Sequence, residues 1–398
     1  MDLLCDTLMV EEILPRLLPK SLICLGAVSR RYKALTFRPD FAARYWPRAG
    51  VFFQPLARPA EPLPRFLPGD KDPAQAHAME LVSGADLSFL PGPSAREKAY
   101  LQSIGDPGGA GAAIVVVHSA AGLLLCSRGR CRSVHYYVCN PMTRQWVALP
   151  ELPCPPPEWR SGLLLVDNDG EGAPKRFQVV LFNHPMHWQY EGACFDLRLF
   201  SSDTGQWKTM QLQPPILIGD AFVPPPILGP SGTSYWIRCS VSDQAISYNF
   251  AKHSFQVISL PNCLDDGTFK RSIGERQGGG LRYAHSNWSV FEVWDLQSEG
   301  ANSTWMLVHQ VAVAELLEQN PEADGYLIPL GFHPTNDDVV FLGMTGAVFA
   351  YSIEHGTMNL QCTHHRYDSP HPYNMFPYVH PPFRVHIPEI KGLNPSVA

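Results

Sequence analysis

The feature that most narrows the fold of this 398-residue chain is a repeated pattern. Four segments, HYYVCNPMTRQWVALP (135–150), DLRLFSSDTGQWKTMQLQPP (196–215), AISYNFAKHSFQVISLP (245–261) and FEVWDLQSEGANSTWMLVHQV (291–311), each read as a strand, a polar turn and a second strand opened by an aromatic residue. Alternating apolar and polar residues on both sides of a turn-forming cluster indicate a β-hairpin. The opening aromatics Trp146, Trp207, Phe255 and Trp305 follow one another at 61, 48 and 50 residues, and AVFAYSIEHGTMNL (347–360) is a worn fifth copy. A period near 50 residues is that of four-stranded, kelch-like propeller blades.

Short apolar runs between the hairpins supply the remaining strands: AIVVVH and GLLLC, SGLLLV and FQVVLF, SYWIRC, and VVFLGM. With 38 prolines, 31 glycines and only 17% charged residues, the composition suits short strands and tight turns better than long surface helices. The expectation is a mainly β chain with a propeller of about five or six blades. Because a propeller must not leave open edges, a strand near Val51–Phe53 or near Phe383–Ile387 should complete a blade shared by the two ends.

The first fifty residues read differently. Leu22, Leu25, Val28, Tyr32 and Leu35 recur at three- or four-residue steps, the mark of one helical face, and Val10 to Leu18 carries Ile13, Leu14 and Leu17 at similar spacing with Pro15 as a local fault. A third short helix is expected after Pro39, with Phe41 and Tyr45 one turn apart. A module this small has difficulty stabilising itself on its own core, so a partner covering its apolar face is physically reasonable. This stretch is mildly basic while the rest is acidic, too weak a bias to argue for nucleic acid. The expected division is a helical module at 1–50, a Pro/Gly-rich connection at 51–111 that can contribute to the first blade, the propeller at 112–388 and a tail at 389–398.

Glu12-Ile13-Leu14, Arg16-Leu17, Lys20-Ser21-Leu22, Val28-Ser29 and Leu35, followed by RPDF at 38–41, resemble in order the motif of F-box proteins. GLLLC (122–126) and CNPMTRQWVALP (139–150) are similar to the signatures of the F-box-associated propeller of plant F-box proteins. The chain departs from the pattern where Leu17-Leu18 replaces Leu-Pro and Tyr32 replaces tryptophan. The resemblance implies a non-catalytic substrate receptor of a Skp-cullin-F-box ubiquitin ligase. Its helical module would bind a Skp-type adaptor, and through it cullin and RING subunits, by way of Leu8, Ile13, Leu14, Leu17, Pro19, Leu22, Leu25, Val28, Tyr32 and Leu35. The propeller would hold an unknown target protein.

For the target, two segments rich in glycine and in anchoring residue types stand out as loops, NHPMHWQYEG (183–192) and RQGGGLRYAHSNW (276–288), with Trp188, Tyr190, Arg282, Tyr283 and Trp288 as candidate contacts. The ordinary alternative is that the aromatics fold back onto neighbouring blades. The recurrent Trp146, Trp207 and Trp305 are better read as blade-to-blade packing than as ligand platforms.

No cofactor is expected. His184 and His187, Cys126 with Cys131 and Cys139, and His364, His365, His371 and His380 lack zinc-finger or HExxH spacing. No G-x-S-x-G, phosphate-cradling or dinucleotide motif occurs, and Gly278-Gly279-Gly280 runs into Leu281-Arg282 without a following Lys-Ser/Thr. Two other readings stay open: a propeller scaffold acting outside any ligase, and a kelch-type propeller oxidase. The start, MDLLCDTLMVEE, is not a secretory leader, and the longest apolar stretch, 112–126, is broken by His118 and Ser119. Cytoplasm, nucleus or both are expected, with no membrane segment and with the ten cysteines mostly as buried thiols.

Overall fold

The computed structural model describes residues 5–17, 19–36, 38, 41, 48–54, 65–67, 87–92, 95, 98–99, 114–128, 135–152, 160–168, 174–183, 195–213, 227–229, 232–237, 244–261, 270–276, 279–298, 303–320, 325–363, 375–380 and 385–392. The chain opens with α1 (Asp6–Leu8), a π turn over Met9–Ile13 and a 3-10 turn over Leu14–Arg16. The irregular geometry surrounds Pro15, which has no N–H to donate into a regular helical ladder. Helices α2 (Pro19–Val28) and α3 (Arg30–Thr36) follow. The apolar stripe expected to be one helix is therefore broken at Ser29, whose Oγ accepts from the Tyr32 amide.

The described β residues form six sheets. The first unites β1 (Arg48–Phe53) and β2 (Arg65–Leu67) with the last strand of the chain, β23 (Met375–His380). Between them come five antiparallel four-stranded sheets. Blade 1 is β3 (Ile114–Ala120), β4 (Leu123–Arg128), β5 (Tyr136–Asn140) and β6 (Gln145–Ala148). Blade 2 is β7 (Arg160–Asn168), β8 (Pro174–Asn183), β9 (Phe195–Ser201) and β10 (Gln206–Leu212). Blade 3 is β11 (Ile227–Leu228), β12 (Thr233–Ile237), β13 (Gln244–Asn249) and β14 (Ser254–Ser259). Blade 4 is β15 (Lys270–Glu275), β16 (Leu281–Ser286), β17 (Val290–Ser298) and β18 (Thr304–Ala312), after which comes α4 (Val313–Gln319). Blade 5 is β19 (Ile328–Phe332), β20 (Val339–Met344), β21 (Ala347–Ser352) and β22 (Thr357–Thr363).

Each hairpin of the sequence repeat is the outer pair of one blade: β5–β6, β9–β10, β13–β14, β17–β18 and β21–β22. Six apolar clusters, one at each junction between neighbouring sheets, close the ring. At the seam, β1 pairs antiparallel with β23 from Arg48 opposite His380 to Phe53 opposite Met375, and the rings of Phe52 and Tyr378 meet edge-on at 5.3 Å. Beyond β1, Gln54 behaves like a short stretch of strand, donating to the Ile114 carbonyl at 3.1 Å and accepting from the Val116 amide at 3.0 Å. The seam thereby grips blade 1.

Three expected boundaries move. Arg48–Gly50 belong to the propeller, and the connection after them contributes two strands, because the ring needs a sheet there to cover blades 1 and 5. The C-terminal closing strand is Met375–His380 instead of 383–387. Residues 385–392 instead lie against blades 1 and 2: Val385 and Ile390 are buried between them, Asn140 Nδ2 donates to the Val385 carbonyl at 2.9 Å, and the Lys391 amide donates to the Ser202 carbonyl at 2.9 Å.

Candidate functional site

The helical module folds around a core of its own, made of Met9, Val10, Leu14, Leu22, Leu35 and Phe41. An ion pair from Arg31 Nη2 to Asp6 Oδ1 at 2.7 Å joins the start of α3 to α1. Of the ten residues expected to meet an adaptor, Leu14, Leu22 and Leu35 are thus committed to the interior, since three helical segments fold their apolar edges together before any partner arrives. Ile13, Leu17, Leu25 and Tyr32 are half-buried at the rim of that core. Pro19 opens α2, where no backbone donor is needed. What remains outside is Leu8, 42% exposed at the end of α1, and Val28, 80% exposed at the end of α2. Tyr45 lies outside the described residues.

Strand direction gives the propeller two unlike ends. At one lie the starts of the first strands and the turns between second and third strands; at the other lie the hairpin turns between third and fourth strands. Arg48, through which the helical module joins β1, stands opposite His380, the last residue of β23, and so at the hairpin-turn end. Trp288 and Tyr326, the two exposed aromatics among the described residues, stand at the opposite end. Trp288, 54% exposed, sits in the turn between β16 and β17, and Tyr326, 41% exposed, precedes β19; their ring centroids are 3.7 Å apart.

Of the candidate target contacts, only Trp288 is at the surface among the described residues. Trp188 and Tyr190 lie outside those residues. Arg282 and Tyr283 are not on a loop: both are buried in β16, every residue of which is buried. Arg282 grips Asp295 with two hydrogen bonds, Nε to Oδ1 at 2.7 Å and Nη2 to Oδ2 at 3.0 Å, and donates through Nη1 to the Asp337 carbonyl. Arg276 adds bonds to Asp295 at 3.0 Å and to Asp337 at 3.2 Å. Two guanidinium groups and two carboxylates thus join blade 4 to the first turn of blade 5 with their charges balanced. Tyr283 packs against Trp305 at 5.9 Å between blades 3 and 4.

The other buried titratable groups have similar structural duties. His118, at a bulge in β3, accepts from the Leu164 amide of β7 through Nδ1 at 3.2 Å, and burial pushes its pKa down to about 3. His285 is 3.2 Å from Glu292, and burial with the nearby Arg271 charge lowers its pKa to about 4. Cys126 and Cys139 bring their thiols to 3.9 Å, and burial pushes the Cys126 pKa well above its ordinary value. Among the described residues no three His, Cys, Asp or Glu side chains are grouped to hold a metal ion; His184, His187, Cys131, His364, His365 and His371 lie outside them. Nor is any described helix long and apolar enough to cross a membrane.

A family model described as F-box protein At3g26010-like, beta-propeller, matches residues 98–369, more than half of the chain. The chain belongs to this family of F-box proteins with a β-propeller. Among curated proteins, it is similar to F-box protein At5g03970 of Arabidopsis thaliana, 24% identical over 314 residues that cover 78% of this chain and 69% of the relative. The matched span of the F-box propeller family takes in all five four-stranded blades and begins after the helical module. Tyr326 was not a sequence candidate, although NPEADGY (320–326) sets a lone aromatic in an acidic, glycine-bearing connection. Only the fold brings it against Trp288, 38 residues earlier.

Proposed function

We propose that this F-box propeller protein is the substrate-recognition subunit of a Skp-cullin-F-box ubiquitin ligase, docking a Skp-type adaptor on its helical module and a target protein on its propeller. The observation that carries the reading is the helical module itself. It closes a small core and still leaves Val28 and Leu8 outside, with Leu25, Tyr32, Ile13 and Leu17 at the rim ready to be covered. Apolar side chains exposed together on one small module are what a docking face requires. Joining the module at one end of the propeller leaves the other end, with Trp288 and Tyr326, clear for a target.

In this role the chain supplies no nucleophile. It brings target lysines near a charged ubiquitin-conjugating enzyme, and the rate gain comes from proximity. Cytoplasm, nucleus or both are the compartments that go with it, where thiols such as Cys126 and Cys139 stay reduced. The test is affinity purification of the full chain from cells with the proteasome inhibited. Adaptor and cullin should co-purify with wild type and be lost with Val28→Asp, while target proteins remain. Capture of adaptor equal to wild type by Val28→Asp and Leu8→Asp together would contradict the docking face.

A further inference from the structure

We propose that the Trp288–Tyr326 pair, whose rings touch at a 43° tilt, is the anchor for an extended, Lys/Arg-bearing segment of the target protein, with the carboxylates of α4 as its electrostatic complement. The proposal rests on the substrate-receptor reading and specifies the chemistry of the target.

The turn that carries Trp288 is tied down by hydrogen bonds. Asn287 Oδ1 accepts from the amides of Ser289 at 2.8 Å and Val290 at 2.7 Å, and the Asn287 amide donates to the Val290 carbonyl at 3.0 Å. The Ser289 carbonyl in turn accepts from the Val313 amide at 3.0 Å, which fixes the start of α4 to the turn that carries Trp288. On the other side, Gly325 has a φ of +87°, and a side chain there would run into Thr345, so the turn that brings Tyr326 against Trp288 requires glycine at this position. The Trp288 ring is exposed on a turn with little conformational freedom left to lose on binding, and Trp and Tyr are residues on which binding energy concentrates.

The surroundings select the partner. From the Ser289 turn, α4 descends along the seam between blades 4 and 5 as far as the hairpin turn of blade 5, where Gln319 donates to the Gly356 carbonyl at 3.2 Å. Leu316 faces inward and is buried, while Glu315 and Glu318 are exposed. Between Val313 and Tyr326 the sequence holds Glu315, Glu318, Glu322 and Asp324 and no Lys or Arg. Residues 51–398 carry 32 acidic against 23 basic side chains. A cation over an indole or phenol face gains from the ring quadrupole, and the two exposed carboxylates Glu315 and Glu318, about 4.5 Å apart along the helix axis, reinforce it. An extended segment crossing the pair and continuing beside α4 meets both.

The experiment uses the full chain and a fluorescent twelve-residue peptide bearing four arginines in a Gly/Ser background, with a charge-reversed peptide of four glutamates as control, read by fluorescence anisotropy. The arginine peptide should bind, more weakly as salt rises, and the glutamate peptide at least roughly tenfold more weakly. Trp288→Ala should weaken the arginine peptide roughly tenfold or more, and Glu315→Gln with Glu318→Gln several-fold with a flatter salt dependence. Trp288 is exposed, so unchanged melting of its variant separates lost binding from lost folding. No binding at millimolar peptide, equal binding of both peptides, or a Trp288→Ala variant equal to wild type would overturn the proposal. Adaptor capture is scored separately through Val28, so loss of that signal alone bears on the receptor reading.

Discussion

Trp207 donates its indole N–H to the carbonyl of Pro150 at 2.8 Å, tying the outer strand of blade 2 to the residue that leaves the outer strand of blade 1. Trp305 repeats the arrangement one pair of blades further on, donating to the Ser259 carbonyl at 2.7 Å. Both rings also pack inward, Trp207 against Phe200 at 5.3 Å and Trp305 against Tyr283 at 5.9 Å. In blades 2 and 4 the repeated aromatic of the sequence is therefore a staple between blades. Trp207→Phe and Trp305→Phe keep a ring and lose the donor, so each should cost about 1 kcal/mol in urea unfolding. The two sites share no partner, and their effects should add.

The hairpin turns carry a second repeated device. Arg144, Gly205, His253 and Gly356 all have positive φ, between 50° and 64°, and each stands immediately before the first residue of its blade's last strand, Gln145, Gln206, Ser254 or Thr357. Only two of the four are glycine. Arg144→Gly should stabilise the protein by roughly 0.5–1 kcal/mol because the left-handed conformation penalises a side chain. Gly205→Ala should do the reverse, since its methyl would also press on the Lys391 carbonyl. Thermal melting of the two variants should shift in opposite directions.

The hairpins were legible because alternation, polar turns and an aromatic at a fixed place are local signals. Asn140 shows why the N-P-x-T motif could be read at all: its Oδ1 accepts from Met142 and Thr143 amides at 2.9 and 3.2 Å, an interaction within three residues. β16 escaped because its sequence, LRYAHS, mixes Arg, Tyr, His and Ser in a strand that is wholly buried. Arg282 can be inside only because Asp295 lies opposite it in the ladder, and that pairing is not visible from the residues 281–286 alone. The helical stripe misled in the other direction: periodicity marked Leu22 and Val28 as one face, whereas two three-residue steps along α2 turn Val28 about 120° away from Leu22, so Leu22 points inward and Val28 stays outside.

Arg282→Ala should accordingly behave as a stability variant. It strands the buried Asp295 carboxylate with only Arg276 for compensation, and removing one partner of a buried pair costs about 3–5 kcal/mol. Arg282→Met combined with Asp295→Leu should recover much of that loss. Denaturant unfolding of the single and double variants checks it, and a double variant as unstable as the single one would contradict the pairing account.

The buried imidazole of His118 sets a pH dependence. Its folded pKa, about 3, lies below the unfolded value of 6.5, so between those limits the unfolded chain binds a proton that the folded one refuses. The stability linked to His118 is fully present above pH 6.5 and falls as the pH drops through the window; His285, lowered to about 4, acts with the same sign. His118→Gln should flatten the fall of unfolding free energy between pH 6.5 and 4 by up to about 1.4 kcal/mol per pH unit. An unchanged slope would show that this histidine does not control it.

The most direct measurement of the account is calorimetric titration of the purified full chain with a Skp-type adaptor. Wild type should bind one adaptor per chain, and Val28→Asp, which places a charge on a side chain that is 80% exposed and outside the module's core, should weaken binding at least roughly tenfold with no change in melting temperature. Wild type that fails to bind, or a Val28→Asp chain that binds as wild type does, would contradict the docking of an adaptor on this module.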